Sequence, residues 1–328
     1  MIETRLTRLT GVRHPIVCGT MHLTTGPALV AAVAEAGALG LLSTTGYRTV
    51  EQLREAVRQV KGLTDRPFGA NINLFPGTKP VDIDGFIDVL LDEGVRVIET
   101  SGRSPAEFAA RIKDGGAVFM HKVARVRDGV KVAGLGADAI TIVGYESGGH
   151  PGEEDVSLLV QIQALAHAVD VPVIPAGGIA DGRGLVAMLA LGADGVCMGT
   201  RFLATKESPL HGEVKRWIVE AHETDTMLVE RTLKNSMRVA KTEVTLRAQE
   251  LERNGASAEE LLALVDGASM QKAMLEGCLA TTGAVTLGQT VGLIHDIPTV
   301  REVVDRTIAE AEAAAEELRT VVKTDPPA

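Results

Sequence analysis

Short apolar runs recur along the first two-thirds of the chain, and each run is followed by a glycine-containing turn and then by residues with helical periodicity. This alternation predicts repeated βα units. Most of the runs are apolar throughout, as expected for parallel strands that are covered on both faces. Eight strands are predicted, at residues 15–18, 39–43, 68–73, 95–100, 117–121, 139–143, 171–176 and 195–198.

Eight strands that alternate with helices close most simply into a (βα)8 barrel, the TIM-barrel fold, and a chain of 328 residues is long enough for one. A doubly wound open sheet has the same alternation, so the periodicity fits both folds. We predict the barrel, an α/β fold, as the simpler arrangement. Helices are predicted between the strands at residues 28–35, 50–61, 158–169 and 184–191.

The strand pattern stops after the eighth predicted strand. From about residue 210 to residue 272 the sequence is charged and amphipathic. Helices are predicted there at residues 211–222, 227–239, 245–254 and 258–265, and a last helix at residues 300–322. We therefore predict a barrel domain formed by residues 1–208 and 284–328, and a mainly helical insertion on the substrate side formed by residues 209–283.

The composition of the chain limits the classes of molecule that we expect it to bind. The formal net charge is −10, so nothing general attracts the phosphate backbone of a nucleic acid or an anionic membrane surface. Cys18, Cys197 and Cys278 lack the spacing of a zinc site or a disulfide framework, and the amino terminus lacks the apolar stretch of a secretory signal. We expect a cytoplasmic protein with a small-molecule substrate and no metal, nucleic-acid or membrane partner, which could form a homodimer.

Two glycine-rich turns follow the seventh and eighth predicted strands. Ala176, Gly177 and Gly178 form the first turn, and Gly199 and Thr200 begin the second. Loops at the carboxyl ends of barrel strands form the active site, and glycines there let backbone N–H groups approach an anion closely. These turns predict a phosphate site, although tight strand-to-helix turns alone would also explain the glycines.

One histidine lies among glycines after the sixth predicted strand, in the segment GYESGGHPGEED. The unperturbed pKa of histidine, ~6.5, suits a residue that accepts and returns a proton near neutrality. We interpret His150 as a catalytic residue. The alternative is a turn histidine bonded to a neighbouring carboxylate such as Glu153.

Several segments together resemble one known family. They are residues 67–71 (PFGAN), 147–152 (SGGHPG), 174–202, and 288–289 with 292–294. In this order and at these separations they look like the nitronate monooxygenase family, formerly called 2-nitropropane dioxygenases, over nearly the whole chain. The resemblance implies an FMN-dependent (βα)8 barrel with a helical insertion, in a group that also contains flavin-dependent NADH:quinone reductases and a bacterial type of enoyl-ACP reductase.

The resemblance also assigns roles to residues. It implies that His150 acts on the substrate over the flavin, as a base or a hydrogen-bond donor. Lys122 matches a lysine near the isoalloxazine, where a cation stabilises the negative charge of reduced flavin, although a lysine at a strand end could also be structural. The implied cofactor-binding residues are Gly19, Thr20, Met21, Asn71, Lys122, Ser147, Gly148, Gly149, Ala176, Gly177, Gly178, Gly199, Thr200 and Gln289.

A proline-rich loop after the third predicted strand resembles a flap of the NADH:quinone reductase branch. Pro76 matches this flap, whereas Thr78 replaces a longer amide side chain, and an ordinary loop would also explain the segment. His22 stands where related sequences carry glutamine or alanine, and it is either a second titratable group near the flavin or a structural histidine. We place Pro76, Thr78 and His22 on the side of the substrate or NAD(P)H.

These inferences predict an FMN-dependent oxidoreductase with NAD(P)H as a possible co-substrate. It would oxidise alkyl nitronates with O2, or reduce quinones with NAD(P)H. The alternatives are an FMN-dependent enoyl-thioester reductase and a non-catalytic barrel that binds a phosphate ligand, since a fold alone does not specify a function.

Overall fold

The computed structural model describes residues 2–75, 81–279 and 281–322 of the chain. Eight parallel strands form a closed barrel in chain order, and the last strand pairs with the first. The strands are β1 (Ile16–Cys18), β2 (Leu39–Ser43), β3 (Gly69–Asn73), β4 (Val97–Ser101), β5 (Val118–Val123), β6 (Ala139–Val143), β7 (Val173–Ala176) and β8 (Val196–Met198). Each agrees with its predicted bounds to within two residues, and the closure confirms the TIM barrel.

Apolar side chains fill the amino-terminal part of the barrel interior. Val17, Val97, Met120 and Ile174 come from different strands and belong to one buried cluster. Leu6, from the helix that precedes β1, belongs to the same cluster and is fully buried. This packed floor leaves only the opposite end of the barrel open to a ligand.

The register of the strands brings polar side chains together nearer the carboxyl ends. Asn71 on β3 pairs with Glu99 on β4, and Lys122 on β5 pairs with both Ser101 on β4 and Thr141 on β6. Because side chains alternate along a strand, these residues share the interior face with the apolar cluster. The interior is therefore apolar at its floor and polar above it.

A ring of helices covers the outside of the barrel. The helices are α1 (Arg5–Thr10), α2 (Pro27–Glu35), α3 (Val50–Leu63), α4 (Ile83–Asp92), α5 (Ala109–Asp114), α6 (Val126–Gly134), α7 (Leu158–Ala168), α8 (Gly182–Ala190), α9 (Thr200–Leu203), α10 (Gly212–Glu220), α11 (Glu243–Arg253), α12 (Ala258–Val265), α13 (Gly267–Glu276) and α14 (Val300–Val321), with 3-10 helices at Thr44–Gly46 and Gln289–Leu293. Helices α2 to α8 follow β1 to β7 in turn. The last helix, α14, packs against both α8 and α2, so it occupies the eighth place in the ring.

The insertion between β8 and α14 contains a β-hairpin, and the helix predicted at residues 227–239 is wrong. Strands β9 (Thr226–Val229) and β10 (Met237–Ala240) pair antiparallel. Both strands are buried along their whole length, so their sequences show no alternation that would distinguish them from a helix. Between them, Glu230 and Lys234 have φ angles of 62° and 52°, which a right-handed helix does not accommodate.

The insertion has a hydrophobic cluster of its own. Val214 and Ile218 from α10 pack with Val229 and Val239 from the hairpin, and Leu287 joins them from the segment that returns to the barrel. The bounds predicted for this insertion, residues 209–283, stay a prediction. Over the described residues, no helix has both the length and the apolar character needed to cross a membrane.

Candidate active site

A cavity of about 860 Å³ opens where the carboxyl ends of the barrel strands meet the insertion. Its wall includes residues of the barrel loops and residues of the insertion such as Asn235 and Met270. Loops at this end of a TIM barrel carry the functional groups. The predicted site residues that line the cavity are Gly19, Thr20, Met21, His22, Asn71, Lys122, Ser147, Gly148, Gly149, His150, Ala176, Gly177, Gly199 and Thr200.

Four predicted site residues are not in this wall. Gly178 lies against the side chain of Glu146, and the backbone N–H of Gln289 donates to the carbonyl oxygen of Glu146 at 2.9 Å. Both residues therefore support the loops behind the wall. Pro76 and Thr78, which the sequence places on the substrate side, lie outside the described residues.

Glycines form one side of the cavity. A Cβ atom on Gly148 would lie 2.7 Å from the carbonyl carbon of Leu287, and Gly177 has a φ angle of +108° with its backbone close to Ser147. Neither position accepts a side chain without strain, because these segments pack backbone against backbone. This side of the cavity is a wall of backbone, as expected of a site where N–H groups bind phosphate oxygens.

The hydroxyl group of Thr200 belongs to the same wall. Its oxygen accepts a hydrogen bond from the N–H of Gly288 at 3.0 Å, and the residue is buried. A hydroxyl group that accepts one bond still has its own hydrogen to donate. Thr200 can therefore donate to an anionic ligand while it holds the 287–290 segment in place.

A buried carboxylate that is not among the predicted site residues lies beneath the cavity. Glu99 is fully buried, and its two oxygens accept hydrogen bonds from Asn71 Nδ2 at 2.6 Å and Thr141 Oγ1 at 2.8 Å. Lys122 Nζ lies 3.3 Å from Glu99 Oε2. The position of Glu99 within a predicted barrel strand could have indicated this pair. A charged residue in the middle of an apolar strand needs a buried partner.

Lys122 extends from this pair into the cavity wall. Burial alone would lower its pKa, but the Glu99 carboxylate outweighs that effect and the pKa of Lys122 is raised. Its Nζ atom also donates to Thr20 Oγ1 at 3.3 Å. The side chain is therefore a fixed cation at physiological pH.

His150 faces the cavity from the turn after β6. Its ring lies against Phe75, with ring centroids 5.5 Å apart. Desolvation by the cavity wall lowers the pKa of His150, while the nearby side chains of Asn235 and Glu153 raise it in part. A neutral imidazole has one nitrogen that donates and one that accepts, so the neutral ring of His150 can accept a proton.

The turn that carries His150 is attached to the insertion. Gly149 and Arg238 exchange two backbone hydrogen bonds, of 3.1 and 2.7 Å, which extend β10 onto the turn. The guanidinium group of Arg238 lies 4.5 Å from the ring centroid of Tyr145. Glu153, the carboxylate suggested as a partner of His150, instead accepts hydrogen bonds from the N–H and hydroxyl groups of Ser236. The hairpin therefore holds the His150 turn in position.

A second histidine, His22, lines the cavity beyond β1. Its Nδ1 atom is 2.8 Å from Thr45 Oγ1, which in turn is 2.9 Å from Ser43 Oγ. Burial, together with the nearby Arg48, lowers its pKa. Among the described residues, no group of three or more His, Cys, Asp or Glu side chains is arranged so that it could hold a metal ion.

Three basic side chains line the outer part of the cavity. Arg103 follows β4, Lys131 is in α6, and Lys234 is in the hairpin connection. All three are exposed, and none forms an ion pair with another described residue. By contrast, Arg125 is paired with Asp128 at 2.6 Å. We call Arg103, Lys131 and Lys234 the basic mouth.

Comparison with protein-family models gives one match that spans most of the chain. The matching model is described as nitronate monooxygenase, and it covers residues 3–86 and 76–310.

Three similar proteins each cover more than nine-tenths of the chain. The (3aS,4S,5R,7aS)-5-hydroxy-7a-methyl-1-oxo-octahydro-1H-indene-4-carboxyl-CoA dehydrogenase of Rhodococcus jostii is 34% identical over 94% of this chain and 96% of its own. The structure of FabK from Thermotoga maritima is 37% identical with a TM-score of 0.90, covering 98% of this chain and 100% of that one. The nitroalkane oxidase of Streptomyces ansochromogenes is 28% identical with a TM-score of 0.82, covering 96% and 100%.

Proposed function

The chain belongs to the nitronate monooxygenase family, and from that premise we propose that it is an FMN-dependent oxidoreductase that acts on an acyl thioester of a phosphate-bearing carrier such as coenzyme A. The observation that carries the proposal is the meeting of the glycine wall, Lys122 and His150 in one cavity. FMN, when bound, would supply the transfer of a hydride to or from the substrate.

The cavity fits FMN in size and in chemistry. A volume of about 860 Å³ is within the range of about 300–1,000 Å³ that is typical of cofactor and small-molecule sites. Gly177, Gly199 and Thr200 would hold the phosphate group through backbone N–H groups and one hydroxyl. Lys122 would place its ammonium group in the wall beside the ring system, where it favours negative charge.

His150 would move the proton of the reaction. Its lowered pKa keeps the ring neutral at physiological pH, and a neutral imidazole has one nitrogen that can accept a proton. A neutral imidazole can accept a proton from a carbon next to a carbonyl group, or return one to it. Phe75 restricts the ring from one side, so the insertion and the β3 loop together position the base.

The basic mouth supports a substrate with a phosphate-bearing tail. Arg103, Lys131 and Lys234 have no ion-pair partner among the described residues, and they lie in the outer wall of a protein whose net charge is −10. Unpaired cations around a cavity attract and orient anionic ligands. The printed name of the Rhodococcus relative specifies a CoA thioester, which carries such a tail.

Nitronate oxidation with O2 is the second candidate function. The family model and the structural likeness to a nitroalkane oxidase favour it. A small nitronate would use the same cofactor, and although it is itself an anion, it has no phosphate-bearing tail that would extend to the basic mouth. The reduction of quinones with NAD(P)H remains a proposal that rests on the resemblance of the segment around Pro76.

Anaerobic stopped-flow spectroscopy of the purified protein tests these proposals. We expect a yellow protein whose flavin absorbance is bleached by NADH or NADPH and restored by crotonyl-CoA. Bleaching by propyl nitronate with no response to crotonyl-CoA would support the second candidate instead. A colourless protein that takes up no FMN would overturn both and favour a non-catalytic barrel.

The role of the basic mouth has its own test. Lys131→Glu should raise KM for crotonyl-CoA at least tenfold and leave KM for crotonyl-pantetheine, which lacks the nucleotide phosphates, unchanged. Arg127→Glu is a matched control, because Arg127 is exposed on the same helix but already paired with Glu154. Equal effects of Lys131→Glu on both thioesters would contradict the assignment of the mouth to phosphate groups.

A further inference from the structure

Glu99 is the least accessible charged group near the cavity. It is on β4, none of its surface is exposed, and it accepts hydrogen bonds from Asn71 and Thr141. Its remaining partner is the ammonium group of Lys122, at 3.3 Å. Both carboxylate oxygens are therefore satisfied, and the carboxylate is held in one orientation.

Stability alone does not account for this carboxylate. Burial of an ion pair carries a desolvation penalty that often cancels its Coulombic gain, and apolar replacements of similar volume are often as stable. Barrel interiors are usually filled by bulky apolar residues, as they are here at the level of Val97 and Met120. The change from an apolar to a charged layer occurs directly beneath the cavity.

The pairing also changes what Lys122 offers to a ligand. An isolated ammonium group in the wall would present a full positive charge to the cavity. Because Glu99 lies on the inner side of Lys122, the ion pair as a whole is neutral. It acts as a dipole whose positive end, the ammonium group of Lys122, faces the cavity. The side chain of Lys122 is 18% exposed and that of Glu99 is not exposed, so the order of the two charges along this direction is fixed.

We propose that Glu99 is a positioning residue that fixes Lys122 and weakens its positive field, and that it thereby lowers the midpoint potential of the bound flavin. The proposal rests on the FMN site put forward above. Reduced flavin carries more negative charge than oxidised flavin, so a weaker positive field beneath it favours the oxidised form. A buried carboxylate acts strongly on this equilibrium because solvent does not screen it.

The test is the midpoint potential of the FMN-loaded protein, measured by redox titration against a reference dye. Glu99→Gln keeps the shape of the side chain and removes its charge, so at a pH at which Lys122 stays protonated we expect a rise in potential. A tenfold shift of the two-electron equilibrium corresponds to about 30 mV, and we expect at least that. Glu99→Asp, which keeps the charge, should return the potential most of the way to the wild-type value.

Asp194→Asn is the matched control. Asp194 is a mostly buried carboxylate that binds the guanidinium group of Arg5, at 2.8 and 2.7 Å, in the turn before β8 at the closed end of the barrel. Its loss should lower the free energy of unfolding without moving the flavin potential. If Glu99→Gln behaves in the same way, with an unchanged potential, Glu99 is only structural and the proposal is wrong.

A second variant covers the case in which Glu99→Gln does not fold. Thr141→Val removes one hydrogen-bond donor from Glu99 and leaves its charge, so the carboxylate is less compensated and the potential should fall. An unchanged potential in Thr141→Val would also overturn the proposal. Failure of the wild-type protein to bind FMN would instead reject the proposed function itself, so the two failures are distinguishable.

Discussion

His150 shows how a single residue acquires a role from its surroundings. The glycines beside it allow the turn to pass close to the segment at Leu287, and two backbone bonds to Arg238 fix the turn against the hairpin. Phe75 and Asn235 then restrict the ring itself. The sequence identified the histidine and its turn, but not the partners that orient it, because they come from distant parts of the chain.

Removal of the His150 ring should separate chemistry from cofactor binding. In His150→Ala we expect FMN to stay bound and turnover to fall by about two to four orders of magnitude, the usual effect of losing an acid–base group. Since burial lowers the pKa of His150 below its usual 6.5, the acid limb of the wild-type pH–rate profile should lie below pH 6.5 and be absent in the variant. His222→Ala, an exposed histidine outside the cavity wall, is the control. Turnover that is equal in both variants would assign His150 to structure.

His121 gives a prediction for stability at low pH. It is 3% exposed, its Nδ1 atom is 2.7 Å from Thr100 Oγ1, and burial lowers its pKa to about 4. In the unfolded chain the same ring takes up a proton near pH 6.5, so acid favours unfolding between these two values. Full stabilisation is present above pH 6.5 and is lost as the pH falls towards 4.

The expected loss is about 3 kcal/mol of unfolding free energy between pH 7 and pH 4, from a pKa difference of about 2.5. Urea denaturation at a series of pH values measures it. The side chain of the His121→Asn variant does not titrate. Between pH 7 and pH 4 the unfolding free energy of this variant should therefore fall by about 3 kcal/mol less than that of the wild type. Parallel curves for the two proteins would show that the His121 ring is protonated as easily in the folded state as in the unfolded state.

At the scale of elements, the strands were predictable and the hairpin was not. Strands of the parallel barrel are short apolar runs bounded by turns, and this signal depends only on neighbouring residues. Strands β9 and β10 are also buried on both faces, but the sequence between them is charged and reads as a continuation of a helix. The antiparallel pairing of Thr226–Val229 with Met237–Ala240, together with the positive φ angles in the connection, distinguishes the hairpin from a helix.

Glu99 was missed for a related reason. Its strand was predicted, but the meaning of a carboxylate in that strand depends on what the neighbouring strands place beside it. The register that joins Glu99 to Asn71 on one side and to Met120 on the other is a property of the sheet. The partners Lys122 and Thr141 become apparent only when the barrel is closed.

The turns after β7 and β8 should bind the phosphate group through their backbone. Gly177→Ala would force a side chain onto a residue with a φ angle of +108° and place its Cβ 3.0 Å from the N atom of Ser147. We expect a strain of about 1–2 kcal/mol and at least a tenfold rise in the Kd for FMN. Titration of the apoprotein with FMN, followed by flavin fluorescence, measures the Kd.

Gly94→Ala separates strain from binding. Gly94 also has a positive φ angle, of +68°, and lies before β4 at the closed end of the barrel with open space around its Cβ position. Its substitution should cost similar stability and leave the Kd for FMN unchanged. A normal Kd in Gly177→Ala would show that the phosphate group binds elsewhere.

The whole molecule depends on a helix that arrives late in the chain. The barrel has seven of its eight outer helices when β8 ends, and the insertion then intervenes before α14 fills the gap between α8 and α2. The start of α8 packs closely against α14. The backbone N–H of Gly182 in α8 donates to the carboxylate of Glu310 in α14 at 3.0 Å. The insertion, and with it the hairpin that holds His150, is thus anchored at both ends by the barrel.

This closure leaves no room for a side chain at Gly182. A Cβ atom there would lie 2.3 Å from both the N atom of Ala311 and the carbonyl oxygen of Thr307, and backbone atoms of a helix do not move aside. Gly182→Ala should therefore destabilise the protein at or above the upper end of the ~1–3 kcal/mol that overpacking usually costs.

Gly134→Ala is the control for this last prediction. Gly134 ends α6 on the same outer ring, and nothing lies within 4 Å of its Cβ position. Alanine favours the helix by up to about 1 kcal/mol over glycine, so this variant should be as stable as the wild type or more so. Urea denaturation of both variants measures their unfolding free energies. If Gly182→Ala unfolds at the same urea concentration as Gly134→Ala, α14 does not pack against α8 in solution. The insertion would then be attached to the barrel only where it follows β8.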